Sequence, residues 1–489
     1  MLNELAIVFC NPPISLRKLY GVFSSGGAFA PPLNLLSLAA QTRLYGYNTK
    51  IIDCSVEKLD FDQSAEKITN FEAKYIGVTA TTLSINDAAR LAQKIKERSP
   101  FSCIIIGGVH LTALPLKTLQ DYPAFDIGVH GEGEITIVNL LNVLKNQGDI
   151  RSVKGIVFRD DLGKIHITEK QPLIEDLDIL PMPAWDLLDG FATKYAPTIS
   201  RMTGLPSIYV NSSRGCPYQC IFCDRSVLGH RFRGFSDKRI VQLFQKAKEM
   251  FQVKHITVYD ENMAISRERV VNFCNSLIDA DLNINWSCDM RADFVAQHKD
   301  IPSLMYNAGC RSVNFGIESG AQEILDFYRK GESLIDMEKA VSAVSRAGIT
   351  TTGFFILGGP TETVTTIKDS IFFATRLELD YAIPFYFTPF PGSAIYKEIS
   401  RYGVFKEDWE QYNSISVPLF LPHGMTKKKL EQLYSYFIMK FYLNPKRLFR
   451  LFCRNLNVNS LWRLLKTGMG IVPVILRRII STRKPQYLE

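Results

Sequence analysis

Two long stretches of this 489-residue chain repeat one alternation: a short apolar run, then a helix-length segment with interleaved polar and apolar positions. Few folds accept that pattern, because strands alternating with helices build a parallel sheet covered on both faces. In the first 145 residues the predicted strands are 5–10, 49–53, 75–79, 103–106 and 125–129, with helices such as 33–45 and 85–97 between them. Ligands of open sheets of this kind sit outside the carboxyl ends of the strands. A second alternation starts at Ser207, with strands expected at 208–211, 255–259, 285–288, 312–315, 351–357 and 381–387. Six βα units fit a partial TIM-like barrel, whose functional residues lie at the C-terminal strand ends.

The expected organisation is therefore α/β. Residues 1–150 form a Rossmann-like domain, 151–204 a linker with a small hairpin, 205–405 a partial (β/α)6 barrel, and 406–489 a basic helical region. The hairpin pairs 153–158 with 164–168 around Asp160-Asp161-Leu162-Gly163. Pro181 and Pro183 exclude a long helix after it, so that stretch drapes between the domains.

Directly after the first barrel strand stands Arg214-Gly215-Cys216-Pro217-Tyr218-Gln219-Cys220-Ile221-Phe222-Cys223. Its close spacings bring three thiolates around one inorganic centre. Structural zinc takes four ligands, and an electron-carrying iron–sulfur cluster usually takes four cysteines. Three thiolates on a cubane leave one iron without a protein ligand, free to bind and activate a small molecule. The alternatives are a Cys3His zinc site using His230, or three unrelated buried cysteines.

Cys-x3-Cys-x2-Cys with an aromatic before the last cysteine resembles the signature of radical S-adenosylmethionine (SAM) enzymes. The resemblance covers roughly residues 205–400 and implies a 4Fe–4S cluster on Cys216, Cys220 and Cys223. It also implies that the open iron chelates SAM, whose reductive cleavage gives a radical that takes a substrate hydrogen. SAM carries an ammonium, a carboxylate, a ribose and an adenine. Asp260, Glu261 and Asn262 offer acceptors for the ammonium. Arg291 is the bidentate candidate for the carboxylate. Glu318 and Ser319 suit the ribose, Gly358 and Gly359 allow close backbone approach, and the resemblance implies that the backbone near Phe222 meets the adenine. Each has a plainer alternative: helix capping for the acids, pairing with Asp289 or Asp293 for Arg291, an ordinary turn for the glycines.

The first 145 residues resemble the cobalamin-binding domain that precedes the barrel in one radical SAM class. The matching stretches are Asn11-Pro12-Pro13, Pro31–Leu36, Thr79–Ser84, Gly107–Thr112 and Gly131-Glu132-Gly133-Glu134. The resemblance implies corrin contacts at Pro12, Thr81, Thr82, Ser84, Gly107, Gly108, His110, Gly131 and Glu132. The cobalt-ligating Asp-x-His-x-x-Gly of mutases is absent: Asp53-Cys54-Ser55-Val56-Glu57 stands in its place. His110 is the substitute candidate, with a loop histidine bonded to backbone as its alternative. Together the resemblances imply a cobalamin-dependent C-methyltransferase. The alternatives are an oxidative cyclase of the anaerobic magnesium-protoporphyrin monomethyl ester cyclase type, and a non-catalytic cobalamin or iron–sulfur sensor.

Net charge is +8, and its excess is local: from Thr426 onward 14 Lys and Arg face only Glu431 and Glu489. Basic and apolar residues mix at 447–452 and 461–465, which reads as an interfacial helix or as one packed on the barrel with snorkelling Arg side chains. No signal peptide is evident at the start, so a cytoplasmic setting is expected; the interfacial reading of the tail would add peripheral contact on the inner membrane surface, and the packed reading would not. Expected partners are a small-molecule or lipid-like substrate and an external electron donor such as flavodoxin or ferredoxin. No nucleic acid is expected, since no helix-turn-helix or aromatic-interleaved basic patch is present.

Overall fold

A computed structural model describes residues 7–450 apart from 196, 199, 200, 202, 203, 446 and 449. The first sheet contains β1 (Ile7–Asn11), β2 (Thr49–Asp53), β3 (Tyr75–Thr79), β4 (Cys103–Gly107), β5 (Ile127–Val129), β6 (Ile156–Arg159) and β7 (Ile165–Ile167), in the order β2-β1-β3-β4-β5-β6-β7. β1 to β5 run parallel, and β6 and β7 close the edge antiparallel. The expected linker hairpin therefore belongs to this sheet: apolar Ile156 and Phe158 are buried against β5 rather than left in a free-standing hairpin. The strand order reverses between β1 and β3, and such a switch point opens a crevice at the carboxyl ends of the strands.

The second sheet is wholly parallel and ordered almost as the chain runs. β8 (Ser207–Val210) stands at one edge, and a small ribbon of β9 (Ser213–Arg214) and β10 (Arg233–Gly234) follows it. Then come β11 (His255–Val258), β12 (Asn285–Met290), β13 (Cys310–Glu318), β14 (Thr350–Leu357) and β15 (Tyr381–Tyr386), giving six neighbours in sequence. This is the expected open barrel. Ser236, Ser266, Ser333 and Thr363 each accept a bond from the backbone N–H three residues on. These caps fix where each helix starts and so keep the preceding strand-end loops on one face. Trp286, Phe244 and Phe273 fill the core between sheet and helices.

The chain after the barrel is less helical than expected. β16 (Gly403–Phe405) pairs antiparallel with β17 (Phe420–Pro422), and the helix begins only at Lys427, running to Tyr442. Leu430, Leu433, Phe437 and Phe441 bury its apolar face on the barrel. Arg447 donates to Thr375 O and Leu377 O, and Arg450 pairs with the buried Asp380 at 2.7 Å. These two arginines thus follow the packed reading. The tail segment at 461–465 lies outside the described residues. Among the described residues no helix is long and apolar enough to cross a membrane.

Candidate active site between the two sheets

The strand ends of both sheets open on one cavity of about 650 Å³. Asn34, Thr79, Gly107 and Gly131 form one wall; Tyr209, Asn211, Cys216, Phe222, Cys223 and Glu261 form the other. Pro181 and Pro183 of the draped segment close one side. Most of the lining is apolar.

The cysteine loop leaves the barrel through β9 and returns through β10, with Arg214 opposite Arg233. Gly215 has φ +80, and a Cβ there would stand 2.3 Å from Arg231 O, so the turn into the loop requires glycine. All three thiols are half-buried, and Cys216 and Cys223 line the cavity. Burial, then the neighbouring Cys220 and Cys216, push the Cys223 thiol up to about 12. Burial also raises Cys220, while the Lys330 charge beside it pulls the other way. His230 is exposed. Among the described residues no three His, Cys, Asp or Glu side chains converge tightly enough to hold a single ion. A cubane makes a different demand, since each thiolate takes its own iron and the sulfurs stay farther apart than ligands of one ion.

Of the residues assigned to SAM, Phe222 and Glu261 line the cavity. Glu261 is open to the cavity but enclosed by protein elsewhere, and that desolvation lifts its carboxyl to about 7, assisted by the Asp260 charge and opposed by Gly215 N–H and Arg214. Asn262 is buried, donates to Ala264 O at 3.4 Å and leaves its Oδ1 without a partner. Asp260 differs from expectation. It accepts four bonds, from N–H and Oγ of both Ser212 and Ser213, at 2.5–3.1 Å. No lone pair is left for an ammonium, and its work is to hold the strand end that feeds the cysteine loop.

Arg291 is likewise taken. Its Nε and Nη2 grip Asp293, Nη2 also reaches Lys330 O at 2.8 Å, and the guanidinium lies 3.7 Å over the Tyr218 ring. Glu318 sits at φ +61 beside a bulge in β13, an unusual backbone for a residue with a side chain. Its carboxylate pairs with Lys330 at 3.2 Å, and Lys330 also meets Glu332 at 3.2 Å. Burial raises the Glu318 carboxyl, and Lys330 counters it. Ser319 is fully buried, bonded to Ser370 and to Ala321 N–H, so it is not offered to a ribose. Gly358 and Gly359 make room for protein: added Cβ atoms would strike Leu430 at 2.4 Å and the Tyr328 hydroxyl at 1.7 Å.

The residues assigned to cobalamin divide in the same way. Gly107, Gly108, Gly131 and Glu132 border the cavity; Pro12, Thr81, Thr82, Ser84 and His110 do not. Ser84 and Thr81 close a local box, with Thr81 N–H donating to Ser84 Oγ at 2.8 Å, and Thr82 is buried. Pro12 is buried and its carbonyl accepts from Ser55 at 2.8 Å. His110 is buried edge-on to Trp409, and burial lowers its pKa to about 4. It belongs to the packing behind the wall, not to a cobalt. Asp53 is also structural, accepting from Asn11 and from Tyr195 at 2.8 Å. Gly108 (φ +105) is needed because a Cβ would stand 2.4 Å from Ala80 O. Gly131 (φ +84) has no protein atom within 4 Å of a Cβ, so its openness faces the cavity. Glu132 spends both oxygens on protein, on Arg214, Arg233 and Ile174 N–H.

Strand-end reasoning missed Lys330, which follows the short helix Gln322–Phe327, and Arg214, whose partners lie in the other domain. It also left the draped prolines without a part in the wall.

Residues 21–141 match the B12 binding domain model, and residues 210–374 match the radical SAM superfamily. The uncharacterized methyltransferase PH0819 of Pyrococcus horikoshii is 31% identical over 426 residues, covering 87% of this chain and 90% of that one. This chain belongs to the B12-binding radical SAM enzymes. The anaerobic magnesium-protoporphyrin IX monomethyl ester cyclase of Rubrivivax gelatinosus is 30% identical over 432 residues, 86% of this chain and 76% of that one. The cobalamin-dependent SAM radical enzyme OxsB, solved with aqua-cobalamin and SAM, superposes with TM-score 0.73 at 17% identity, over 95% of this chain and 72% of that chain; the likeness is one of fold.

The two domains of a B12-binding radical SAM enzyme define its cofactors: a 4Fe–4S cluster with SAM on the barrel, and cobalamin on the N-terminal sheet. The residues present fit them. Three thiols share one loop, the Glu261 carboxylate opens on the cavity and takes the Gly215 N–H at the loop's start, Asn262 next in sequence keeps a buried Oδ1 without a partner, and the opposite wall carries glycine openings without charged side chains free to compete.

Proposed function

We propose that this chain is a cobalamin-dependent radical SAM C-methyltransferase acting on a small, largely apolar molecule. The observation that carries this reading is the shared cavity: Cys216 and Cys223 look across an apolar space at Gly107 and Gly131. When bound, the cluster and SAM supply a 5′-deoxyadenosyl radical and cobalamin supplies the methyl group. Cys216, Cys220 and Cys223 hold the cluster and leave one iron free. Glu261 and Asn262 accept from the SAM ammonium. The Lys330 and Arg291 charges near Cys220, themselves paired with protein carboxylates, oppose the burial that raises its thiol. The apolar wall excludes water from the space where a carbon radical must survive.

The test is anaerobic turnover of cluster- and cobalamin-loaded protein with methyl-deuterated SAM and a strong reductant. We expect 5′-deoxyadenosine and deuteromethyl-cobalamin, and deuteromethyl on carbon once an acceptor is supplied. Persistent absence of both would leave a sensor role instead. The likeness to the cyclase supports a second reading, radical ring closure; 5′-deoxyadenosine without S-adenosylhomocysteine would select it. An external flavodoxin or ferredoxin fits the need for single electrons. Contact of the basic tail with an anionic membrane rests on charge alone, and liposome flotation with and without residues 451–489 tests it.

A further inference from the structure

The cysteine loop is tied to the opposite domain at its own base. Arg214 and Arg233 face each other across the β9–β10 ribbon through which the loop leaves and returns. Both reach Glu132 of the N-terminal domain: Arg214 Nη1 to Oε1 at 3.0 Å and Arg233 Nη1 to Oε2 at 2.8 Å. Arg214 Nη2 also reaches Glu134 Oε1 at 2.6 Å, an oxygen that Ser37 Oγ donates to at 2.6 Å. The side chains of Glu132 and Arg233 are each only 3% exposed. Taking four charges out of water is expensive, and such a cluster holds only while every partner stays in register. The Arg214 charge keeps the Glu134 carboxyl below its ordinary range despite complete burial. Glu132 and Glu134 follow β5 directly, at Gly131, the opening on the N-terminal wall. Arg214 is two residues before Cys216, on the other wall. The clamp therefore joins the two cavity walls next to Gly131 on one side and two residues from Cys216 on the other.

We propose that Glu132, seconded by Glu134, is a positioning residue: by gripping both ends of the cysteine loop it sets the distance and angle between the cluster and the corrin. The inference rests on the methyltransferase reading for its consequence, but not for its structural content. Cleavage of SAM at the cluster needs the barrel alone. Moving the SAM methyl group to reduced cobalamin breaks the sulfonium S–CH3 bond and forms a Co–C bond, leaving S-adenosylhomocysteine, and needs both walls aligned. Loosening the clamp should separate the two.

The experiment compares wild type with Glu132→Gln and Glu134→Gln. Small-angle scattering and limited proteolysis of the cofactor-free proteins come first. We expect Glu132→Gln to keep its secondary structure by circular dichroism, widen the distribution of interatomic distances and open the chain to cleavage between the domains. Unchanged scattering and cleavage in both variants would overturn the clamp, whatever the chemistry of the enzyme. The loaded proteins are then assayed with SAM and titanium(III) citrate. We expect 5′-deoxyadenosine formation within about twofold of wild type in Glu132→Gln, against a loss of methylcobalamin formation of tenfold or more, with Glu134→Gln in between. Equal loss of both products would assign Glu132 to folding only and refute the positioning role. Wild-type protein that cleaves SAM but methylates no cobalamin would instead refute the methyltransferase reading, with the clamp still decided by the scattering.

Discussion

The two walls of the cavity are built on different principles. The barrel wall and the shell behind it are charged: Lys330, Glu318 and Arg291 act on the Cys220 thiol, and Glu261 opens on the cavity. The N-terminal wall is made of backbone, apolar side chains and the mutually bonded Asn34 and Thr79, with its charged members tied into contacts with protein. A cluster and a zwitterionic nucleoside need point charges at fixed places, and side chains supply them. A large corrin needs room and shape, which glycines and a strand-order switch supply. One wall should therefore fail by losing a single atom, and the other only by losing space.

Cys220→Ala should break the comparison on the barrel side most severely. Anaerobic reconstitution of wild type should load about four iron ions per chain, and the variant should hold almost none and make no 5′-deoxyadenosine; iron analysis and product chromatography check both. Asp260→Ala should come next. It strands the buried N–H groups of Ser212 and Ser213, so we expect about 3 kcal/mol lost in denaturant unfolding of the cofactor-free protein. A change within 0.5 kcal/mol would return Asp260 to the ligand set.

Glu261 offers a smaller, pH-dependent effect. With its carboxyl lifted to about 7, it is mostly neutral at pH 6 and mostly charged at pH 8. A carboxylate holding an ammonium needs both groups charged, so SAM affinity should rise about fivefold from pH 6 to pH 7 and level off above it, where the amino group of SAM begins to lose its proton. Glu261→Gln should flatten the profile; an equally steep profile in the variant would place the titrating group elsewhere. On the other wall, Gly131→Ala meets no protein atom and carries only left-handed backbone strain of about 1 kcal/mol, yet it should weaken cobalamin binding several-fold by equilibrium dialysis. Gly108→Ala should do the reverse, destabilising the fold because its Cβ runs into Ala80 O.

The sequence was most readable where chemistry and spacing coincide. Strand and helix periodicity located both parallel sheets, because strands buried on both faces must be apolar throughout. The cysteine spacing located the loop, because few other uses of three thiols survive comparison. The polar strand-end residues were less legible. Asp260, Ser319 and Glu132 have the right type and place for ligands, but neighbours distant in sequence occupy them: Ser212 and Ser213 lie 48 and 47 residues from Asp260, Ser370 lies 51 from Ser319, and Arg233 lies 101 from Glu132. One-dimensional reading sees the donors and acceptors but not which are already satisfied. Lys330 was hidden for the opposite reason: it reaches Glu318 from beyond a helix, outside any strand-end pattern. The ribbon at 403–422 was missed because its strands are only three residues each, too short to carry a period.

That the two cofactors meet across one cavity can be tested by electron paramagnetic resonance of protein loaded with the reduced cluster and cob(II)alamin together. We expect the two paramagnets to interact, with cobalt relaxation accelerated or its lines broadened relative to protein carrying cobalamin alone. Two undisturbed, additive spectra would contradict a shared cavity and separate the domains functionally as well as in sequence.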